Sequence, residues 1–145
     1  MKNKLYIFAL LLVFSCKADK SEFFQNNPGK MKKTEIRNET INNHQLLSCM
    51  YEDDYFPNFL VDKCKNILMN FCEQIELTNP KDLKELYRLS HDATNDINDL
   101  QEEFDESGSE IETGARECLA ENFEFIAITY GFKADIEELI GTRDW

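Results

Sequence analysis

From residue 41 onward the apolar residues recur at intervals of three and four, and no stretch alternates with period two. This spacing puts one apolar stripe on a helix and leaves nothing to build a half-buried strand. The fold class that follows is all-α, a single small bundle of four to five helices. Ile41, Leu46, Leu47 and Met50 mark a first short helix, and Phe56-Pro57 interrupts it, because the residue before a proline is pushed away from helix. Leu60, Cys64, Ile67, Leu68, Phe71, Cys72 and Ile75 form the cleanest stripe. Thr78-Asn79-Pro80 reads as the next helix start, with Asn79 as N-cap and Pro80 at the first helical position. From there Leu83, Leu86, Tyr87, Ser90, Ala93, Ile97, Leu100 and Phe104 predict one long helix, about 27 residues or about 40 Å.

Ser107-Gly108 ends that helix, and Ser109-Glu110-Ile111-Glu112 has the form of a capping box. The helix it opens carries Ile111, Ala115, Cys118, Leu119, Phe123, Ile126 and Tyr130, and Gly131 is placed to terminate it in a left-handed conformation. A last short helix spans Ala134 to Ile140 before Gly141.

The chain opens differently. Lys2 and Lys4 precede an unbroken apolar run from Leu5 to Phe14, which Ser15 and Cys16 end. A positive start, a short apolar core and a small residue at the exit are the marks of a secretory signal, and the run is too short for a spanning helix of about 20 residues. Val13-Phe14-Ser15-Cys16 resembles the lipobox of bacterial prolipoproteins, although Phe14 is larger than usual there. The resemblance implies a cleaved leader at 1–15 and a diacylglyceryl group on Cys16. The expected anchor is lipid in a bacterial envelope membrane, the outer one because Lys17 and not an aspartate follows the cysteine. Residues 16–40, with Lys, Asn, Ser, Pro28 and Gly29 and little apolar periodicity, read as a flexible tether. Residues 41–145 form the domain, large enough for one core and not two.

Charge is unevenly divided. Residues 16–40 hold six Lys/Arg and four Asp/Glu, a net of +2, whereas residues 41–145 hold eight Lys/Arg against twenty-four Asp/Glu, a net of −16. So acidic a domain repels phosphate backbones, which argues against a nucleic-acid partner and for a basic protein partner.

Chemistry-bearing motifs are scarce. No nucleophile elbow, phosphate loop or zinc-protease signature is present, and no C-x-x-C. Cys49, Cys64, Cys72 and Cys118 admit three complete pairings, but Cys64 and Cys72 stand about 12 Å apart along one helix. This leaves 49–64 with 72–118, 49–72 with 64–118, a single bond, or buried thiols, the last being the commoner state of cysteines on apolar stripes. Asp92, Asp96, Asp99 and Glu103 follow His91 in a row that could chelate a cation. Such a row is more often the solvated face of a helix, so no metal site and no cofactor are expected.

Several separated segments are distinctive: Met50 to Lys63 (MYEDDYFPNFLVDK), Cys72 to Glu76 (CEQIE), Leu100 to Phe104 (LQEEF), Ser109 to Thr113 (SEIET), Tyr130-Gly131-Phe132 and Gly141 to Trp145 (GTRDW). Together they resemble a small bacterial family known only as a domain of unknown function, over residues 44–145. The resemblance implies a compact helical protein and brings no activity or catalytic residue with it. Members of that family look shorter and without a leader, so the lipoprotein segment departs from the pattern.

Tyr51, Tyr55, Phe56 and Phe59 crowd around Glu52, Asp53 and Asp54. Aromatics mixed with charge suit a partner-binding edge, and they equally suit a corner that plugs one end of a core. Trp145 presents the same choice, with docking against the domain the commoner outcome. The candidate partner-binding residues are therefore Tyr51, Asp53, Asp54, Tyr55 and Trp145. The function expected is that of a membrane-anchored interaction module, of which an inhibitor or immunity-like protein is one form. A carboxylate- or metal-dependent envelope enzyme and a structural or stress-related envelope protein are the alternatives.

Overall fold

The structure, a computed structural model, describes residues 36–145. The leader, Cys16 and most of the stretch read as tether lie outside the described residues. Seven helical segments follow one another: α1 Glu39–Asn43, α2 Ser48–Tyr51, α3 Asn58–Thr78, α4 Leu83–Asn98, α5 Gln101–Glu106, α6 Thr113–Thr129 and α7 Ile136–Leu139. No strand occurs among the described residues, and the chain is all-α as its spacing predicts.

The three long helices fix the frame. α3 buries Leu60, Val61, Cys64, Leu68, Phe71, Cys72 and Ile75, six of them on the predicted stripe. α4 returns antiparallel to it after the short turn at 79–82. α6 runs parallel to α3: Phe71 meets Phe123 midway, ring centroids 5.5 Å apart, and Glu76 meets Tyr130 near both C-terminal ends.

Two thin segments close the gaps. The N-terminal one runs antiparallel to α6 from Phe125 to Cys118. His44 stacks on Phe125 with centroids 3.8 Å apart, the Leu47 amide donates to Asn122 Oδ1 at 3.1 Å, and Cys49 is disulfide-bonded to Cys118. The C-terminal one follows α4. Tyr87 accepts from the Asp135 amide at 2.9 Å, His91 Nε2 lies 2.7 Å from the Glu138 carbonyl, and Asn98 donates to the Thr142 carbonyl at 3.0 Å. Buried side chains from all of these elements form one core.

Four local expectations are corrected. The first short helix is two, α1 and α2, parted where His44 is extended and Leu47 takes φ +59°. Asn79 is the end of α3 and not the start of α4: it sits at φ +52°, the left-handed conformation that asparagine tolerates. Pro80 cannot continue the helix, and Asp82 caps α4 by accepting from the Glu85 amide at 2.9 Å. The long helix is broken by a turn at Asp99–Leu100 into α4 and α5. The capping box does not form. Ser109 instead finishes α5, its amide reaching back to the Phe104 carbonyl at 3.0 Å while Gly108 takes φ +73°. α6 then begins at Thr113 with no side-chain cap bond. At the far end of α6, Gly131 does terminate the helix at φ +89°, and the Phe132 amide bonds the Ala127 carbonyl at 2.9 Å.

The favoured reading of buried thiols is corrected for two of the four cysteines: among the described residues one bond forms, Cys49–Cys118, with Cα atoms 6.1 Å apart. Cys64 and Cys72 are buried thiols, each pushed up to about 12 by loss of water around the thiolate, and Cys72 also by the charge of Glu76.

Candidate functional site

The turn between α2 and α3 places the aromatic and acidic residues singled out by sequence. Asp53 Oδ1 accepts the Tyr55 amide at 2.9 Å, an Asx turn that fixes the Tyr55 backbone. Phe56 drops into the core, and the Tyr55 ring meets it edge-on at 5.1 Å. Tyr55 itself stays 40% exposed and Phe59, in the first turn of α3, 56% exposed. Asp53 and Asp54 are exposed, and no salt bridge reaches either among the described residues.

Tertiary structure adds carboxylates that sequence reasoning missed. The Tyr55 hydroxyl lies against the loop before α6. Its pKa is raised by lost solvent contact there, then by the charges of Glu112 and Glu110. Lys63, one turn beyond Phe59 on the same face of α3, pairs with Glu103 of α5. Two exposed aromatics are thus bordered by acids from three places: the turn at 53–54, α5, and the loop at 110–112. Ser109, in the same loop, is 1% exposed.

The other two sequence candidates are less available. Tyr51 is half-buried and donates to Asp62 Oδ1 at 2.5 Å, with Lys65 Nζ 5.9 Å from its ring centroid. Burial first, and that hydrogen bond second, hold its hydroxyl well above the ordinary tyrosine range. Trp145 reaches the same end of the bundle, because its segment follows α4 toward α5, where Gln101 donates to Asp144. It packs against the core, and its indole N–H is buried without a partner among the described residues. The end of the bundle therefore gathers Tyr51, Asp53, Asp54, Tyr55 and Trp145, but offers Asp53, Asp54 and Tyr55 most openly, with Phe59 beside them.

A second feature lies on the side of the bundle. Tyr87, Arg88, His91 and Asp92 of α4, with Glu138 of α7, line an open groove of about 750 Å³. His91 is tied to α7 there and stacks on Tyr87, centroids 6.3 Å apart. In the acidic row beside it, Asp96 is raised by burial and then by the charges of Asp99 and Asp92. No group of three or more His, Cys, Asp or Glu is placed to hold a metal ion among the described residues. No described helix is long and apolar enough to cross a membrane.

These features define a class: a small, acidic, disulfide-linked helical domain with an open aromatic and acidic end. The chain belongs to the Family of unknown function (DUF5713), which matches residues 40–145. That span begins four residues before the resemblance read from the motifs. No curated protein and no solved structure matches the chain.

Proposed function

We propose that the chain is a bacterial lipoprotein, anchored through Cys16, whose domain is an interaction module for a basic protein partner. An inhibitor or immunity-like protein is one form such a module takes. The observation that carries the reading is the pairing of exposed Tyr55 and Phe59 with a border of carboxylates that, apart from Glu103, have no salt-bridge partner among the described residues. Large aromatics anchor interfaces by burying area at little entropic cost. A one-signed border repels like-charged surfaces and draws in oppositely charged ones. The Cys49–Cys118 bond supports export, since such bonds persist in oxidising compartments. The leader pattern supports lipid attachment, and Lys17 supports the outer membrane as destination.

Affinity capture of the domain, residues 36–145, from its own cell envelope tests the reading. A basic protein should be recovered with the native domain and lost with a Tyr55→Ala, Phe59→Ala double variant. Recovery of an acidic or neutral protein, or equal recovery by both, would count against it. Fatty-acid labelling that persists in Cys16→Ser would remove the anchor.

A further inference from the structure

The point at which the chain enters the domain is fixed with unusual firmness. The Glu76 carboxylate, its side chain 10% exposed, accepts from the Arg37 amide at 2.9 Å and the Asn38 amide at 3.0 Å. It also accepts from Arg37 Nε at 3.1 Å and the Tyr130 hydroxyl at 2.8 Å, while Arg37 Nη2 donates to the Glu76 carbonyl at 2.8 Å. Ile36, beside this knot, is buried. Ile36, the first described residue, therefore lies beside the C-terminal end of α3.

The aromatic and acidic corner lies at the opposite end of that helix. Phe59 and Glu76 are seventeen positions apart on α3, about 25 Å along its axis. Charge is divided the same way. Residues 99–112, at the corner end, hold seven Asp/Glu and no Lys/Arg, whereas residues 79–91 at the Glu76 end, together with residues 130–138 that pack beside them, hold four Lys/Arg and five Asp/Glu. An anionic lipid surface repels the first end far more than the second.

From these two independent observations we infer that Glu76 is a clasp that fixes which end of the domain carries the tether, so that on average the Arg37–Glu76 end lies toward the membrane and the Tyr55–Phe59 corner away from it. The inference rests on the anchored-module reading and deepens it. The partner is then a basic protein of the aqueous compartment or of a facing surface, and not the membrane that carries the anchor. The corner stays open while the lipid is inserted.

The test uses the full lipidated chain in phosphatidylethanolamine–phosphatidylglycerol vesicles doped with an acceptor-labelled lipid. A donor dye is attached at Lys81→Cys or at Asp54→Cys; both positions are exposed, while the native thiols Cys64 and Cys72 are buried. Averaged over the tether's motion, quenching from position 81 should exceed that from position 54, since the two ends stand about 25 Å apart along α3. Glu76→Gln should narrow the difference. Equal quenching in the otherwise native chain, or stronger quenching from position 54, overturns the orientation alone. Vesicle flotation, run first, separates the two ideas: a chain that does not float with the vesicles removes the anchor, and the orientation with it.

Discussion

Tyr130 donates its hydroxyl to Glu76 Oε1 at 2.8 Å, joining the ends of α6 and α3 at the place where Arg37 brings in the N-terminal segment. Burial opposes ionisation of Glu76. The Arg37 amide, the Tyr130 hydroxyl, the Arg37 guanidinium and the Asn38 amide outweigh it and hold the carboxyl below its ordinary value. The same contact raises Tyr130, whose hydroxyl is disfavoured as phenolate by burial and by donation to a carboxylate. Three elements meet at one charge.

This contact predicts a pH dependence with a definite sign. A carboxyl whose folded pKa is depressed contributes stability that is fully present above its unfolded pKa and is lost as pH falls through the folded one. Denaturant midpoints of residues 36–145 should therefore fall as pH drops below about 4.5, near the ordinary glutamate value, and Glu76→Gln should flatten that limb. At neutral pH the same substitution should cost about 1.5–3 kcal/mol, the scale for hydrogen bonds to a charged group. An unchanged acid limb in Glu76→Gln would show that other carboxylates set it.

The disulfide joins residues 69 apart in sequence. In the chain-entropy account such a link restricts the unfolded state by about 4 kcal/mol. Reduction, or Cys49→Ser with Cys118→Ser, should lower the unfolding free energy by a comparable amount while leaving the helical circular dichroism spectrum intact. Alkylation without reductant should modify neither Cys64 nor Cys72 until denaturant is added, since both are buried and their thiols are held near 12. Rapid modification of the native protein would place them at the surface.

Leu68 on α3 and Ile97 on α4 are fully buried. Each large-to-small change, Leu68→Ala and Ile97→Ala, should cost about 2–5 kcal/mol through lost transfer energy and residual cavity. Asn122→Ala acts differently: it removes the acceptor of the Leu47 amide and the donor to the Cys118 carbonyl. Leu47 is fully buried and sits at φ +59°, so that contact holds a strained residue in place. A cost of about 1–3 kcal/mol is expected for the unsatisfied buried amide, read by chemical denaturation.

How much of this was legible in the sequence depended on the range of the interaction. The α3 and α6 stripes, the stop at Gly131 and the break at Pro57 are local, and the residues name them. Asn79-Pro80 is local yet ambiguous, because a short polar side chain can cap a helix start or adopt the left-handed stop, and proline suits both. The turn at Asp99–Leu100 was hidden because the stripe through Ile97, Leu100 and Phe104 continues across it. Ser109 to Glu112 has the letters of a capping box, but α5 needed a terminator first and took Ser109 for it. The candidate site was half legible: the cluster at residues 51–59 is contiguous, whereas Glu103, Glu110 and Glu112 join it only through tertiary folding. Glu76 was one acid among many until Arg37, 39 positions earlier, met it.

The corner makes the prediction that bears most directly on function. Its carboxylates are exposed, so their field is screened beyond about 8 Å at physiological ionic strength. Long-range attraction acts mainly on encounter, while tightly packed aromatics act mainly on residence time. For a captured basic partner, raising salt should slow association to the native domain with little change in dissociation. Tyr55→Ala and Phe59→Ala should each accelerate dissociation, and at hot-spot strength of about 2 kcal/mol the complex lifetime shortens roughly thirtyfold. Asp53→Asn with Asp54→Asn should instead lower the association rate and flatten its salt dependence, although loss of the Asp53 charge leaves its Asx-turn oxygen in place. Surface plasmon resonance separates the two rates. Aromatic variants that bind with native lifetimes would move the interface elsewhere, and the groove between α4 and α7 at His91 would be the next surface to substitute.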